Sequence, residues 1–593
     1  MNSIHPIFRF ITTRNNFLII LISLFILIGS SSLTGCLPAL PTYAPSSSTI
    51  NIPESPTPLP SLSPEPTSTA ITISPPYLAF ADPALPNQLL AELSQDDHLS
   101  MTGNESMAQI IFSQEPGREA GSWFYLAVTP FYSSLEEIKS ADLHSCWENG
   151  ISSSHPFNQI LLSEDTHNTF TMLWGPSNPN CVEIAHPNDL SRSLWSANEA
   201  VGLIPFEMAD PSLKVLPIDS EDPFGADFNR DIYPLALRIN YELSDPGLFP
   251  AVPDFYITNF DSSKLTSIAL TGVTAMVRHT AYIMEKEGIL YPAIDIQGLL
   301  ADADITHINN EVPFASDCPY PDANQYSLNF CSDDRYIQLM EAIGTDIVEL
   351  SGDHFGDWGP EAMLHTIDLY DQEGWLTYGG GENLTAGLSP VYLSHNENHF
   401  AFIGCNAKNV ERYATASSDN PGAVMCDFEW MIPEIERLAS EGYLVIATMQ
   451  HEEVDDFGSI SLQRYDFRRL AEAGAVIVSG SQSHHPQGFE YTGSSFIHYG
   501  LGNLFFDQWR LALVDPELHA NKDKSFVDLH FFYNGKHIGT RLVPLQFVDN
   551  ARPRLMTAEE KTPLMNEIYA HSFWNGEWIY LYSSGYISSR TDQ

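Results

Sequence analysis

Four short β-branched runs between residues 305 and 478 each lead into a loop that carries acidic, amide or imidazole side chains. Helical patterns separate these runs, and strands that alternate with helices form a mostly parallel sheet. Because ligands bind at the carboxyl ends of such strands, we expect the four loops to converge on one metal or phosphate-type site. The runs and the residues that follow them are 305–308 before 309–311, 347–350 before 353–354, 444–447 before 451–452, and 476–478 before 484–485.

The length and charge of the chain limit its class. A chain of 593 residues with 43% hydrophobic residues is too long for one core and predicts two or more globular domains. Its 75 acidic and 27 basic residues give a formal net charge of -48. Such a surface repels nucleic acid phosphates, so no nucleic acid partner is expected. The same acidity is typical of a solubility adaptation in an exported protein.

The amino terminus has the features of an export signal. Arg9 and Arg14 precede a hydrophobic run over 17–28, which is short for a membrane-spanning helix. The sequence Leu-Thr-Gly-Cys that ends at Cys36 resembles the bacterial lipobox. We therefore predict a lipoprotein signal peptide over 1–36, a lipid on Cys36, and an extracytoplasmic protein anchored to a bacterial cell membrane. An uncleaved membrane anchor is the alternative reading.

Residues 37–76 are rich in proline, serine and threonine. Because such a segment cannot bury a core, we predict that it is a linker. We then predict an N-terminal α/β or α+β domain over 77–258, a larger α/β domain over 259–550, and a C-terminal extension over 551–593. No motif in the first domain carries chemistry. A spacer or partner-binding role is the preferred reading of it, and a solute-binding lipoprotein is the alternative.

The cysteines are consistent with an exported chain. Setting Cys36 aside leaves six cysteines that fall into three sequence-local pairs. Six cysteines allow 15 connectivities, so local pairing is a preference among open alternatives. The preferred pairs are Cys146 with Cys181, Cys318 with Cys331, and Cys405 with Cys426.

Six segments of the larger domain carry a family resemblance. Residues 350–359 and 378–383 resemble the "ANNHxxDxG" and "GxGxN" motifs of bacterial capsule-synthesis proteins of the CapA, poly-γ-glutamate type. Residues 309–311 are similar to the family's "NLE", His451 stands where "HWGxE" begins, 480–487 resemble "GHHPHxxQ", and 499–508 resemble "YSLGNFxFDQ". The resemblance implies a calcineurin-like metallophosphoesterase fold, a four-layer α/β/β/α sandwich.

The chain also departs from the family pattern. Val273 stands where the family has its first aspartate ligand, and an isopropyl group cannot bind metal. Gln482 takes the place of a histidine in the fifth motif. In the third motif, Gly352 and Asp353 replace two asparagines.

The remaining polar residues suit one divalent Zn, Mn or Fe ion better than a two-metal centre. We predict catalytic roles for His354, Asp353 and Arg278, with Arg278 facing an anionic substrate from the start of a helix. In an alternative reading His354 is a general acid and no metal binds. The predicted metal ligands are Glu311, Asp353, His354, His451 and His484, and the predicted substrate-binding residues are Asn309, Asn503 and Asp507.

The resemblance implies a role in synthesis or remodelling of a cell-envelope or capsule polymer, by metal-assisted hydrolysis or transfer. The alternative from another class is a non-catalytic polymer-binding or assembly module on a degenerate metallophosphoesterase fold.

Overall fold

The computed structural model of the protein describes residues 75–197, 199–248, 252–408 and 414–573. The predicted signal peptide with Cys36, nearly all of the linker over 37–76, and the end of the C-terminal extension lie outside the described residues. The described residues form one compact unit. Within the described ranges, no helix combines the length and apolar character that crossing a membrane requires.

The first region of the described chain builds a ten-stranded sheet around the long strand β4. Its strands are β1 Tyr77–Ala81, β2 Leu99–Met101, β3 Ile110–Ser113, β4 Arg118–Pro130, β5 Gln159–Leu162, β6 Val182–Ile184, β7 Ala200–Pro205, β8 Leu213–Leu216, β9 Ala236–Leu243 and β10 Ile257–Thr258. The main strand order is β2-β1-β3-β9-β4-β7-β5-β6, and β8 and β10 also pair with β4. The helices of this region are α1 Asn87–Gln95, α2 Ser140–Asn149, α3 Glu164–Trp174 and α4 Leu190–Ser196.

The second region holds two further large sheets. The first has the order β14-β13-β12-β11-β24-β25-β26, with β23 beside β11, and the second has the order β16-β17-β19-β20-β22-β21. Strands β11 to β14 run parallel, as do β17, β19, β20 and β22. The strands are β11 Leu265–Thr274, β12 Ile305–Asn310, β13 Thr345–Glu349, β14 Leu376–Tyr378, β15 Gly380–Gly381, β16 Val391–His395, β17 Asn398–Asn406, β18 Gly422–Ala423, β19 Leu444–Gln450, β20 Ala475–Ser481, β21 Phe489–Thr492, β22 Ser495–His498, β23 Asn503–Phe505, β24 Lys524–Tyr533, β25 Lys536–Val548 and β26 Arg552–Leu555.

Helices α5 to α8 pack on the outer face of the first of these sheets, and α10 and α11 pack on the outer face of the second. The helices of this region are α5 Arg278–Glu287, α6 Gln297–Ala301, α7 Ile337–Ala342, α8 Pro360–Glu373, α9 Leu384–Gly387, α10 Phe428–Ser440, α11 Ser461–Glu472, α12 Leu511–Val514, α13 Pro516–Lys522 and α14 Ala558–Ala570. Local chemistry sets the helix ends. Helix α8 begins with Pro360 and ends before Gly374, whose φ of 79° places it in the left-handed region that glycine adopts without strain.

The alternation of side chains along the strands produces the four layers. In β19, Val445 and Ala447 point outward, where they share a core with α10 and α11. Ile446 between them points inward, into the core that also holds Ile347 of β13. Val348, the next residue of β13, points outward into the core that contains α5, α6, α7 and α8. Both faces of each central strand are therefore buried, as expected for parallel strands between helices, and the predicted α/β/β/α sandwich is confirmed.

Aromatic side chains join the first region to the second. Phe131, after β4, packs edge-on against Phe489 and Tyr491 of β21, with ring centroids 5.2 and 5.4 Å apart. Phe224 packs on Phe531 of β24 at 4.8 Å. The two regions therefore have separate sheets but share one hydrophobic core.

The three sequence-local cysteine pairs are disulfides in the structure, so the preferred connectivity is confirmed. The bonds join Cys146 to Cys181, Cys318 to Cys331, and Cys405 to Cys426.

Candidate functional site

The carboxyl ends of parallel strands from both sheets of the sandwich meet along one edge. Asn309, in β12, donates a hydrogen bond to Ser481 Oγ, at the end of β20, at 3.3 Å. Asn406, at the end of β17, donates to the Ser351 carbonyl after β13 at 2.6 Å. The loops that the sequence pattern identified therefore lie together.

Three predicted ligands form a compact group at this edge. Glu311, Asp353 and His354 each offer one ligand atom, and these atoms lie within 4.8 Å of one another. Gly352 makes this approach possible, because a Cβ there would lie 2.6 Å from the Glu311 carbonyl oxygen. The glycine that departs from the family motif thus lets the loop after β13 lie directly against Glu311.

Lys408 and Gln482 complete what we call the polar cluster: Glu311, Asp353, His354, Lys408 and Gln482. The Lys408 Nζ lies 2.7 Å from Asp353 Oδ2. With its amide nitrogen facing the carboxylates, Gln482 donates to Glu311 Oε1 at 3.0 Å and Asp353 Oδ1 at 3.2 Å, and its oxygen accepts from Lys408 Nζ at 2.8 Å. This orientation gives both amide atoms a partner.

The two carboxyl groups of the polar cluster carry different charges. Burial and the neighbouring Asp353 raise the pKa of Glu311 well above its usual value, which favours the protonated form of Glu311. Burial also opposes the charge on Asp353, but the hydrogen bond with Glu311 and the charges of His354 and Lys408 lower its pKa. One proton and one negative charge therefore divide between the pair, as expected for adjacent buried carboxyls.

Asp357 orients the His354 imidazole. His354 Nδ1 lies 2.7 Å from Asp357 Oδ2, and the same oxygen accepts from the Phe330 amide at 2.9 Å. Burial lowers the pKa of His354, but the bond to Asp357 and the charges of Asp353 and Asp357 outweigh it and raise the pKa above its usual value. His354 is therefore more often protonated than an ordinary histidine, and Nε2 is the nitrogen that remains for a ligand or substrate.

Two of the five predicted metal ligands bind other partners. His451 Nε2 lies 3.1 Å from Asp466 Oδ2 on α11. His484, with a φ of 49°, has its Nδ1 2.8 Å from Asn503 Oδ1. Burial lowers the pKa of His484 to about 4, so it is neutral at pH 7. Within the described ranges, the structure groups Glu311, Asp353 and His354 as potential ligands and leaves His451 and His484 outside that group.

The predicted substrate-binding asparagines, Asn309 and Asn503, are buried at this edge of the sandwich. Asn309 Nδ2 donates to Glu349 Oε2 at 2.8 Å, and Asn503 holds the His484 ring. Several buried polar atoms here have no hydrogen-bond partner in the protein, namely Asn309 Oδ1, Glu311 Oε2, His451 Nδ1 and Asn503 Nδ2. Unpartnered buried polar atoms are rare in folded proteins, so they favour a ligand at this edge.

Arg278 and Asp507 interact mainly with each other and with α5. Arg278 Nη2 donates to the Asp507 carbonyl at 2.7 Å, and the Thr280 amide donates to Asp507 Oδ2 at 3.2 Å. The Arg278 guanidinium also faces the rings of Phe330 and Phe506, at 5.4 and 4.5 Å. Asp507 therefore caps the start of α5, and Arg278 is already engaged by protein groups.

The first family motif is replaced by hydrocarbon. We call this group the apolar cluster: Val273, Ala275, Val277, Val312, Phe330 and Phe506, all of them buried. The backbone of Val273 keeps its sheet register, opposite Asn309 of β12 and Asn503 of β23. The position that the resemblance assigns to a metal ligand is therefore retained, but its side chain cannot coordinate an ion.

The donors present fit one divalent ion. Two carboxyl groups and one imidazole lie close enough to share it, and Glu311 Oε2 is a buried acceptor without a partner. Binding requires Lys408 to leave Asp353 Oδ2. A second ion is not supported, because the apolar cluster and Gln482 occupy the positions that would supply its ligands.

The sequence analysis assigned no role to Lys408, Gln450 or Asp357, although Asp357 stands at the aspartate of the "ANNHxxDxG" motif. Gln450, at the end of β19, donates to Asp353 Oδ1 at 3.4 Å. Lys408 follows β17, whose loop is not among the four that the sequence pattern identified. Extending the strand-end argument to this loop would have found it.

Comparisons with known proteins cover the same part of the chain. Residues 267–508 match the family described as bacterial capsule synthesis protein PGA_cap. The capsule biosynthesis protein CapA of Bacillus anthracis is 24% identical over 316 residues, which are 52% of this chain and 74% of CapA.

Two solved structures are also similar to the chain. The NAD nucleotidase of Haemophilus influenzae is 12% identical and covers 51% of this chain and 55% of its own, with a TM-score of 0.30. An ABC-type phosphate transport receptor from Vibrio cholerae is 13% identical and covers 29% of this chain and 88% of its own, with a TM-score of 0.24. Both TM-scores are too low to carry an argument about function. The motif resemblance and the family match agree, and residues 267–508 are similar to the bacterial capsule-synthesis family.

Proposed function

We propose that the chain acts in synthesis or remodelling of a capsule or other cell-envelope polymer of the poly-γ-glutamate type. The similarity of residues 267–508 to capsule-synthesis proteins supports the polymer class. The single observation that carries the site is the group formed by Glu311, Asp353 and His354, at the strand-end edge where α/β proteins bind ligands.

The charges of the polar cluster suit an anionic polymer. The chain as a whole has 75 acidic and 27 basic residues, so its general field repels polyanions. Lys408 and His354 place positive charge in a pocket of that field, beside a Glu311 carboxyl whose pKa is raised by burial. A carboxylate or phosphoryl group of the polymer, or of its carrier, would bind between them.

His354 is the residue that moves a proton in this proposal. Asp357 fixes the Nδ1 side of the ring, so Nε2 is the nitrogen that faces substrate. The raised pKa of His354 favours its protonated form, so Nε2–H can protonate the leaving group while water, or the acceptor of a transfer, attacks the bond that breaks. Gln450 and Gln482 hold Asp353 in place.

A divalent Zn, Mn or Fe ion, if bound by Glu311, Asp353 and His354, would polarise a carbonyl or phosphoryl oxygen of the substrate. His354 would then be a ligand of the ion and would not serve as the general acid. The residues therefore support either role of His354, and the ion distinguishes them.

A second candidate is a non-catalytic polymer-binding or assembly module. The apolar cluster favours it, because it fills the position of the family's first metal motif with hydrocarbon. In this case Lys408 would bind polymer, and His354 would position it without moving a proton.

The test replaces the native gene by full-length variants and measures cell-bound capsule polymer. We expect His354→Gln to lower polymer at least about tenfold, the size of a lost general acid. The matched control is His365→Gln. His365 lies on α8, outside the polar cluster, and its Nε2 lies 2.9 Å from Asp334 Oδ1, so it is also a histidine paired with an aspartate. Polymer at the wild-type level in His354→Gln would contradict the enzymatic proposal, and its loss in Lys408→Met alone would favour the assembly module.

We also propose that Cys36 anchors the protein outside the cytoplasm. The lipobox-like sequence before Cys36 supports this placement. In the same strains, Cys36→Ala is expected to move the protein out of the membrane fraction. Retention of the variant in that fraction would contradict lipid anchoring at this residue.

A further inference from the structure

Lys408 lies where it neutralises the carboxylate of the candidate ion site. Its Nζ lies 2.7 Å from Asp353 Oδ2, and its side chain is 28% exposed against 11% for that of Asp353. The ammonium is therefore close to solvent, and it bonds to one of the three residues that would hold a metal. A flexible four-carbon stem allows such a group to swing outward.

The rest of the polar cluster matches an ammonium more closely than an ion. Asp353 Oδ1, the second oxygen of this carboxylate, accepts from Gln482 at 3.2 Å and from Gln450 at 3.4 Å. Gln482 also donates to Glu311 Oε1, and its own oxygen accepts from Lys408. Gln482 stands at the family's histidine position, so an amide that binds the lysine has replaced a side chain that binds metal.

We propose that Lys408 is a built-in cation that competes with a divalent ion for Glu311 and Asp353. A divalent ion bound to these carboxyls would lie a few ångströms from the Lys408 ammonium. The two positive charges would repel each other, because partial burial weakens the screening by solvent. The ion therefore binds only when the Lys408 side chain has swung away from Asp353. Glu311 Oε2, buried and without a partner in the protein, is the free acceptor that the ion gains.

This inference rests on the ion site of the proposed function but not on its polymer. Its test therefore measures ion binding to the purified full-length protein in detergent, without polymer. A failure here leaves the capsule experiment unaffected, and a failure of the capsule experiment leaves the competition intact.

The experiment titrates Mn²⁺ into wild type and Lys408→Met by calorimetry. We expect Lys408→Met to bind one ion at least about tenfold more tightly than wild type, because one competing charge is gone. Lys264→Met is the matched control, since Lys264 pairs with Glu397 at 3.3 Å away from the site. It should bind Mn²⁺ as wild type does. The double variant Lys408→Met with Glu311→Gln should lose the gain.

The variant Lys408→Arg distinguishes the effect of the positive charge from the effect of removing the lysine side chain. Because arginine keeps the positive charge, its affinity for Mn²⁺ should stay near that of wild type. A gain in Lys408→Arg equal to that in Lys408→Met, or no gain in Lys408→Met, would overturn the proposal. If Lys408→Met lacks a cooperative unfolding transition, Lys408→Gln replaces it, and the rise in Tm on adding Mn²⁺ is compared with that of wild type. An equal rise in both proteins overturns the competition.

Discussion

The polar cluster and the apolar cluster occupy neighbouring strand ends at one edge of the sandwich, yet one is filled with charge and the other with hydrocarbon. Val273 keeps the backbone register of a ligand position, opposite Asn309 and Asn503. Glu311, one strand away, keeps a ligand side chain. Backbone geometry and ligand chemistry can therefore change independently, and a fold assigned from its strands does not by itself give the number of ions it binds.

The two clusters also differ in how they are stabilised. The apolar cluster gains free energy by removing six apolar side chains from water. The polar cluster holds its charges by mutual compensation, with Lys408 on Asp353 and a proton on Glu311. A substitution that adds a charge to the apolar cluster should therefore lower the stability of the protein strongly. A substitution that removes a charge from the polar cluster should have an effect that depends on pH or on bound ions.

The largest effect is expected from restoring the family's aspartate at Val273. Val273→Asp buries a carboxyl group without a cation beside it, and should lower the free energy of unfolding by about 3–5 kcal/mol at pH 7. Urea unfolding measures the change. The matched control is Val514→Asp, because Val514 is 75% exposed and should tolerate the charge.

Mn²⁺ decides what the Val273→Asp result means. If the apolar cluster has lost its capacity for metal, added Mn²⁺ leaves the destabilisation in place. Full recovery of stability with Mn²⁺ would show that one substitution rebuilds an ion site, and the contrast between the two clusters would fail.

An intermediate, pH-dependent effect is expected from Glu311→Gln. Because the pKa of Glu311 is raised in the folded protein, the native state binds more protons than the unfolded state above the ordinary glutamate range. Wild-type stability therefore falls as pH rises through that window, by at most about 1.4 kcal/mol per pH unit for one group. Glu311→Gln lacks this loss and should become relatively more stable as pH increases.

Urea unfolding from pH 5 to pH 8 measures this slope. Glu436→Gln, on the exposed side of α10, is the control and should keep the wild-type slope. A Glu311→Gln curve parallel to wild type would mean that Glu311 is ionised in the folded protein and that the two carboxylates are compensated in another way.

The smallest effect is expected from Phe330→Leu, at the border of the two clusters. The Phe330 ring belongs to the apolar cluster, lies 4.9 Å from the His354 ring and faces the Arg278 guanidinium. Leucine keeps most of the volume, so the loss should be about 1–2 kcal/mol. Mn²⁺ binding to Lys408→Met should be unchanged when Phe330→Leu is added. A large change in binding would show that the clusters act as one.

The fold was predictable because its signals are local. The β-branched runs became β12, β13, β19 and β20, and the preferred cysteine pairs became disulfides. Long-range contacts are different: α5 begins only at Arg278, and the Ala275 amide before it bonds to the Phe505 carbonyl of β23. That partner is distant in sequence and gives no local signal.

The site was predictable only in part, because side-chain direction depends on distant partners. Glu311, Asp353 and His354 follow strand ends that the sequence pattern identified, and they lie close together in the structure. His451 turns toward Asp466 on α11, and Asn503 holds His484, and neither contact is visible in a motif. Lys408 was missed for a different reason, since its loop resembles none of the family's motifs.

The aromatic contacts between the two regions restrict where the chain can be divided. A fragment trimmed to residues 267–508 would lose β24, which pairs with β11 in the middle of its sheet. It would also expose Phe489 and Tyr491, which Phe131 covers in the intact protein. An unpaired strand edge beside exposed aromatic rings promotes aggregation. The segments before and after residues 267–508 are therefore needed for that part of the chain to fold, and residues 267–508 expressed alone or in another protein should be insoluble.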